Sequence, residues 1–200
     1  MADSDILTAL QPVVAALDEM GVAYEIGGSV ASSACGVPRT TLDVDLVAAL
    51  GQAHVKELVG RLQSLYYVDE NAAFESVERQ SSFNLIHLGT MLKVDVFVLK
   101  SRAYDQSAFR RKRKDRLSLD PAGNSFYFAS PEDVVLNKLE WFRLGRELSE
   151  RQWNDVAGVL KVQQGALDIV YMRHWAGVLG IMDLLERAFR EVGTPLPNNQ

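Results

Sequence analysis

The chain has 200 residues, 48% hydrophobic and 24% charged, with a formal net charge of −5. That composition supports a folded domain with a sizeable core, and it disfavours a protein that coats nucleic acid over a broad basic surface. No apolar run approaches the ~20 residues that span a bilayer, no basic-then-apolar leader opens the chain, and the single cysteine, Cys35, excludes an internal disulfide and a thiolate zinc cage.

A reducing, cytoplasmic setting without membrane contact is therefore the expectation. Taken in order, residues 4–20 read as an amphipathic helix. Ile6, Leu7, Leu10, Val13, Val14 and Leu17 recur at three- and four-residue spacing. Ser4 is the expected N-cap and Gly21 the stop. A short strand over 22–26 ends at Gly27-Gly28. Residues 29–34 are small and predict a short helix before Gly36. A strand follows over 41–49 and a helix over 52–65. Residues 66–68 suit a strand edge, and 72–79 a short helix. Two strands, 83–88 and 92–99, flank Gly89-Thr90 and predict a hairpin.

Residues 101–116 are basic, with Arg102, Arg110, Arg111, Lys112, Arg113, Lys114 and Arg116. Short strands are expected over 117–119 and 125–129, around Pro121-Ala122-Gly123-Asn124. Ser130-Pro131-Glu132-Asp133 is a helix start: Ser at the cap, Pro at the first position, acids in the first turn. Further helices are expected over 150–163, 167–179 and 181–192, with a frayed tail at Asn198-Asn199-Gln200. The fold class is α+β: a small mixed sheet with flanking helices over 1–129, a helical subdomain over 130–193, and a tail over 194–200.

The chemistry-bearing residues lie near the front. Asp43 and Asp45 alternate along a strand and so share a face, with Leu42, Val44 and Leu46 expected on the core side. Two like charges this close are costly to ionise without a cation. A bound Mg²⁺ (or Mn²⁺) relieves that cost, since it takes oxygen ligands and keeps positions for substrate phosphates. Asp95 sits in Leu92-Lys93-Val94-Asp95-Val96-Phe97-Val98-Leu99, where an acid is expensive unless paired or metal-bound. Three carboxylates can hold two metal ions for a phosphoryl displacement. Asp95 can also serve as general base toward an attacking hydroxyl.

Gly27, Gly28 and Ser29 supply the phosphate side. Glycine lets backbone approach a phosphate closely, and the helix that follows offers free N–H groups. Arg39 and Thr41 stand just ahead of the strand, placed to touch a nucleotide or line its cleft.

Gly27-Gly28-Ser29, Arg39-x-Thr41-x-Asp43-x-Asp45 and Asp95 together resemble the nucleotidyltransferase superfamily of DNA polymerase β-like fold. Ser130-Pro131-Glu132-Asp133-Val134-Val135-Leu136-Asn137-Lys138-Leu139, with Arg151-Gln152-x-x-Asp155-Val156 after it, is similar to the AbiEii/MenT-type branch and its bacterial relatives. The resemblance covers roughly the first 160 residues. It implies transfer of a nucleoside monophosphate from a nucleoside triphosphate such as ATP, with pyrophosphate released. It further implies that Lys138 contacts the triphosphate and that Asp155 is a late polar member of the cleft. The acceptor is left open: RNA or tRNA, a protein, or a small molecule. Some relatives are toxins beside an antitoxin, so an antitoxin is a possible partner. The oligomeric state is not indicated.

Plainer roles stand beside these. Lys138 can be a snorkelling lysine. Asp155 can pair with Arg151 at the i, i+4 spacing. The 110–116 cluster is a solvated basic face or an RNA contact. Trp141, Trp153 and Trp175 read as packing anchors, and Cys35 as packed rather than nucleophilic. A catalytically silent nucleotide-binding or protein-interaction module of the same fold is the rival of a transferase.

Overall fold

The computed structural model describes residues 2–116 and 123–196. The chain divides into two compact units, Met1–Val30 with Thr40–Phe128, and Ala31–Arg39 with Ala129–Gln200. The strand expected over 117–119, the Pro121-Ala122 half of its turn and the tail at 198–200 lie outside the described residues.

The first unit is built on a seven-stranded mixed sheet. Helix α1, Ala2–Glu19, precedes it. It begins before Ser4, so Ser4 lies within the helix rather than capping it. Its other end is as expected: Gly21 has φ +66°, the Gly21 amide donates to the Asp18 carbonyl and the Val22 amide to the Leu17 carbonyl. That is the double closure for which glycine is favoured just past a helix end. Ile6, Leu7, Leu10, Val13, Val14 and Leu17 are all buried.

Strand β1, Tyr24–Ile26, leads into helix α2, Gly28–Cys35, and then strand β2, Asp43–Ala48. Next come helix α3, Gln52–Leu62, the two-residue strand β3, Tyr66–Tyr67, and helix α4, Glu70–Arg79. Strands β4, Ser82–His87, and β5, Lys93–Val98, form the expected antiparallel hairpin. Its positive φ falls on Met91 rather than on Gly89. Helix α5, Ala103–Arg110, and strand β6, Arg113–Arg116, occupy the basic stretch, for which neither element was expected. Strand β7, Ser125–Phe128, closes the unit. The strand order is β3-β4-β5-β2-β1-β7-β6, with β2 parallel to β5, β1 parallel to β7 and the other pairs antiparallel.

Burial alternates along the central strands as a two-faced sheet requires. Val44, Leu46, Ala48, Val94, Val96 and Val98 are buried. Helix α1 packs against β2 and β5, and the Tyr66 hydroxyl ties the edge to it by donating to the Ala9 carbonyl at 2.7 Å. Leu42 breaks the expected alternation. It is 75% exposed because β2 begins only at Asp43, so the pleat does not govern it. The other face carries Asp43, Asp45, Lys93 and Asp95, each partly exposed.

The second unit is helical: α6, Pro131–Leu144, α7, Glu150–Val162, α8, Ile169–Leu179, and α9, Met182–Glu191, with the segment Ala31–Arg39. Ser130, Ser149 and Asp168 cap the first three of these four by accepting from the amides of Asp133, Gln152 and Tyr171. Trp153 is buried, and its Nε1 donates to Glu191 at 2.9 Å. Trp141 is no packing anchor, since it is 53% exposed. The Cys35 thiol donates back to the Ala31 carbonyl at 3.1 Å, within its own helix.

Candidate active site

The acid face follows from register. β2 and β5 run parallel, with Asp43 opposite Lys93 and Asp45 opposite Asp95. Paired residues on adjacent strands point to the same side, about 4.8 Å apart along the sheet. On the far side of β5, Asn84 of β4 pairs with Asp95. On the near side, the Gly27 amide donates to the Asp45 carbonyl at 2.9 Å. One row thus runs from Gly27, just past the end of β1, across three strands as Asp45, Asp95 and Asn84. The glycine turn and two of the acids, scattered in sequence, become neighbours.

Gly28 is bound into this row by space as well as by conformation. Its φ is +52°, and a Cβ built there would stand 1.6 Å from Asp45 Oδ2. No side chain is possible while Asp45 keeps its place. Gly27 is different, because a Cβ there meets nothing within 4 Å. The second glycine is the one the site requires, and its reason is the Asp45 carboxylate.

The acids already have partners. The Thr41 hydroxyl is 2.6 Å from Asp43 Oδ1, and Thr41 is buried. The Lys93 ammonium lies 2.7 Å from Asp95 Oδ2. That bond to Asp95 raises the lysine above its ordinary pKa against partial burial, and the charges of Asp95, Asp43 and Asp45 add to the rise. Lys93 therefore feels all three acids.

The donor set suits a hard divalent cation: carboxylate oxygens on one face, two of them abreast. The side chains as they stand do not converge, and among the described residues no group of three His, Cys, Asp or Glu side chains is arranged to hold a metal ion. Asp43 is turned to Thr41 and Asp95 to Lys93. The carboxylate chemistry is that of a hard-cation donor set, while the present rotamers serve other partners.

Glu25 of β1 belongs to the same face, since it pairs with Val47, two residues along from Asp45. It is buried at 3% exposure. Lys93 and Glu25 were both missed in the sequence. The signal for Lys93 was present, because it precedes Asp95 by one strand period. Glu25 shows itself only once β1 is paired with β2.

The second unit brings together Arg39, Lys138 and Asp155. Arg39 grips Asp155 with two prongs, Nε to Oδ1 at 2.7 Å and Nη2 to Oδ2 at 3.0 Å. Lys138 Nζ lies 2.7 Å from Asp155 Oδ2 and 3.2 Å from Gln152 Oε1. The carboxylate side chain is only 4% exposed. Burial opposes its ionisation, but the bonds and charges of Arg39 and Lys138 hold it below its ordinary pKa. Both oxygens are taken by these two cations, so Arg151 is not the partner of Asp155. Lys138 does not snorkel, since it is 5% exposed and ion-paired.

Glycine sets how closely the same segment meets α7. A Cβ on Gly36 would lie 2.9 Å from the Val159 backbone nitrogen and 2.8 Å from the Ser32 carbonyl. The Gln163 side-chain amide donates to the Cys35 carbonyl at 2.8 Å. Residues 35–39 are thereby fastened to α7 at three points.

No family model matches the chain, and no curated protein matches it in sequence. Solved structures do match in shape. A solution structure of the antibiotic-resistance factor ANT(2'')-Ia is 17% identical, covers 94% of this chain and 99% of that one, and superposes with a TM-score of 0.60. A crystal structure of ANT(2'')-Ia with adenylyl-2''-tobramycin is 16% identical over 88% of this chain and 97% of that one, also at 0.60. The lincosamide antibiotic adenylyltransferase LnuA, bound to lincomycin, is 15% identical over 76% of this chain and 95% of that one, at 0.51. The chain has the fold of the nucleotidyltransferases.

Proposed function

We propose that this chain is a metal-dependent nucleotidyltransferase that moves a nucleoside monophosphate from a nucleoside triphosphate to an acceptor. The observation that carries this is the row Gly27, Asp45, Asp95, with Gly28 forced to be glycine by the Asp45 carboxylate. Gly27, Gly28 and Ser29 cradle the phosphates at the start of α2, where the first amides of a helix have no partner within it. Asp43, Asp45 and Asp95 would hold Mg²⁺ (or Mn²⁺), which supplies charge neutralisation at the transferring phosphate. Thr41 fixes Asp43. Asp95 takes the proton of the acceptor hydroxyl. Arg39, the more exposed of the two cations on Asp155, suits a phosphate oxygen, and Lys138 holds Asp155 beneath it.

The acceptor is sought first among small molecules. Two of the similar structures bear adenylylated tobramycin and lincomycin. RNA, tRNA or a protein is the next class to try, the last two with a toxin and antitoxin setting in view.

A silent nucleotide-binding module is the second reading, favoured by one observation: Asp95 and Asp43 are engaged by Lys93 and Thr41. Calorimetry with ATP, CTP, GTP and UTP separates the two. A transferase binds one or more of them with a strong Mg²⁺ requirement and slowly releases pyrophosphate. Binding indifferent to Mg²⁺, with no pyrophosphate formed, favours the silent module.

A further inference from the structure

On the acid face, β2 and β5 present a block of four side chains. Asp43 stands beside Lys93, and Asp45 beside Asp95. Three carboxylates and one ammonium share one patch. Lys93 reaches Asp95 at 2.7 Å, with side-chain exposures of 44% and 13%. The ammonium is therefore open to solvent while its partner is largely covered.

On an ordinary strand such a pair contributes little to stability. Here it has another consequence. Like charges held this close repel, and a tethered cation among them relieves the repulsion as a metal ion would. The same tether then competes with the ion. Lysine carries a compact charge on a flexible four-carbon stem, so it can let go of Asp95 without moving the strand.

We propose that Lys93 is a positioning residue that occupies the acid patch as a resident cation and surrenders Asp95 when a divalent ion binds. The proposal rests on the metal role of Asp43, Asp45 and Asp95 given above. It makes Lys93 a determinant of metal affinity, acting through Asp95.

The test is Mn²⁺ alone, titrated without nucleotide into the full chain and followed by the electron paramagnetic resonance of free Mn²⁺. Wild type, Lys93→Met and Lys93→Arg are compared. Removing the competing charge should tighten Mn²⁺ binding roughly three- to ten-fold in Lys93→Met, while Lys93→Arg stays close to wild type. The Mn²⁺-dependent rise in Tm should be larger in Lys93→Met than in wild type, which a merely structural lysine would not produce. Equal or weaker Mn²⁺ binding by Lys93→Met, beside measurable binding by wild type, overturns the role of Lys93 and leaves the metal site standing. Tightening by Lys93→Arg as large as that by Lys93→Met also overturns it, because charge would not be the cause. No Mn²⁺ binding by any of the three overturns both the lysine's role and the metal site.

Discussion

Asp45 and Asp95 stand abreast on adjacent parallel strands, and the amide of Gly27 is bonded to the carbonyl of Asp45. One backbone register therefore aligns a glycine turn with two acids from separate parts of the chain. A small shift at any member should be felt by the others.

Gly28→Ala is the sharpest single test of that alignment. The new Cβ would overlap the Asp45 carboxylate at a φ that side chains disfavour. A misplacement of about 1 Å costs on the order of 100-fold in rate, and transfer should fall by that much or more. Stability should fall by about 1–3 kcal/mol. Gly27→Ala, with open space around it, should be milder on both counts. Urea unfolding and single-turnover transfer check the pair.

Asp155→Ala should destabilise the protein by ~3–5 kcal/mol, because it takes the carboxylate away from the buried Lys138 ammonium and from the partly exposed Arg39. Denaturant midpoints measure this. The sequence suggested an ion pair here but assigned the wrong partner. A helical i, i+4 spacing is visible locally, whereas the pairing of Arg39 with Asp155 arises from packing between distant segments.

The same carboxyl predicts a pH dependence. Its folded pKa lies below the ordinary value of 3.8. Its stabilisation is therefore full above that value and is lost as the pH falls through the lower folded value. The stability difference between wild type and Asp155→Asn should be constant near neutrality and shrink in acid. A difference that grows on acidification would contradict the depressed pKa.

Tyr171→Phe tests the start of α6. The Tyr171 hydroxyl donates to Asp133 Oδ1 at 2.7 Å, and the Ser130 hydroxyl meets Oδ2 at 2.6 Å. Asp133 is fully buried. Losing one donor from a buried carboxylate should cost about 1–3 kcal/mol, read from thermal unfolding.

How far the sequence was legible follows from what is local. Ser130-Pro131-Glu132-Asp133 announced a helix start because every cue lies within one turn. The alternation of Asp43 and Asp45 announced a shared face because strand period is two. Leu42 misled because periodicity applies only inside a strand, and β2 had not yet begun. Helix α5 was hidden by the basic run at 110–116 that begins at its last residue, while its own signal is only the buried trio Tyr104, Ala108 and Phe109. The pairing of Asp45 with Asp95 depends on strand order, which no local pattern encodes. Lys93 was legible in principle, one strand period before Asp95, but an acid draws attention in an apolar strand and a half-exposed lysine does not.

The central claim is that the acids on β2 and β5 support nucleotidyl transfer. Its most direct test is label transfer from α-³²P nucleoside triphosphates with Mg²⁺, using tobramycin, lincomycin, total RNA and whole-cell extract as acceptors. Wild type is compared with the variant carrying both Asp43→Ala and Asp45→Ala, after circular dichroism shows that both are folded. The account predicts Mg²⁺-dependent transfer by wild type and its loss in the variant. Equal transfer by the two proteins, or none by wild type with any acceptor, would contradict it.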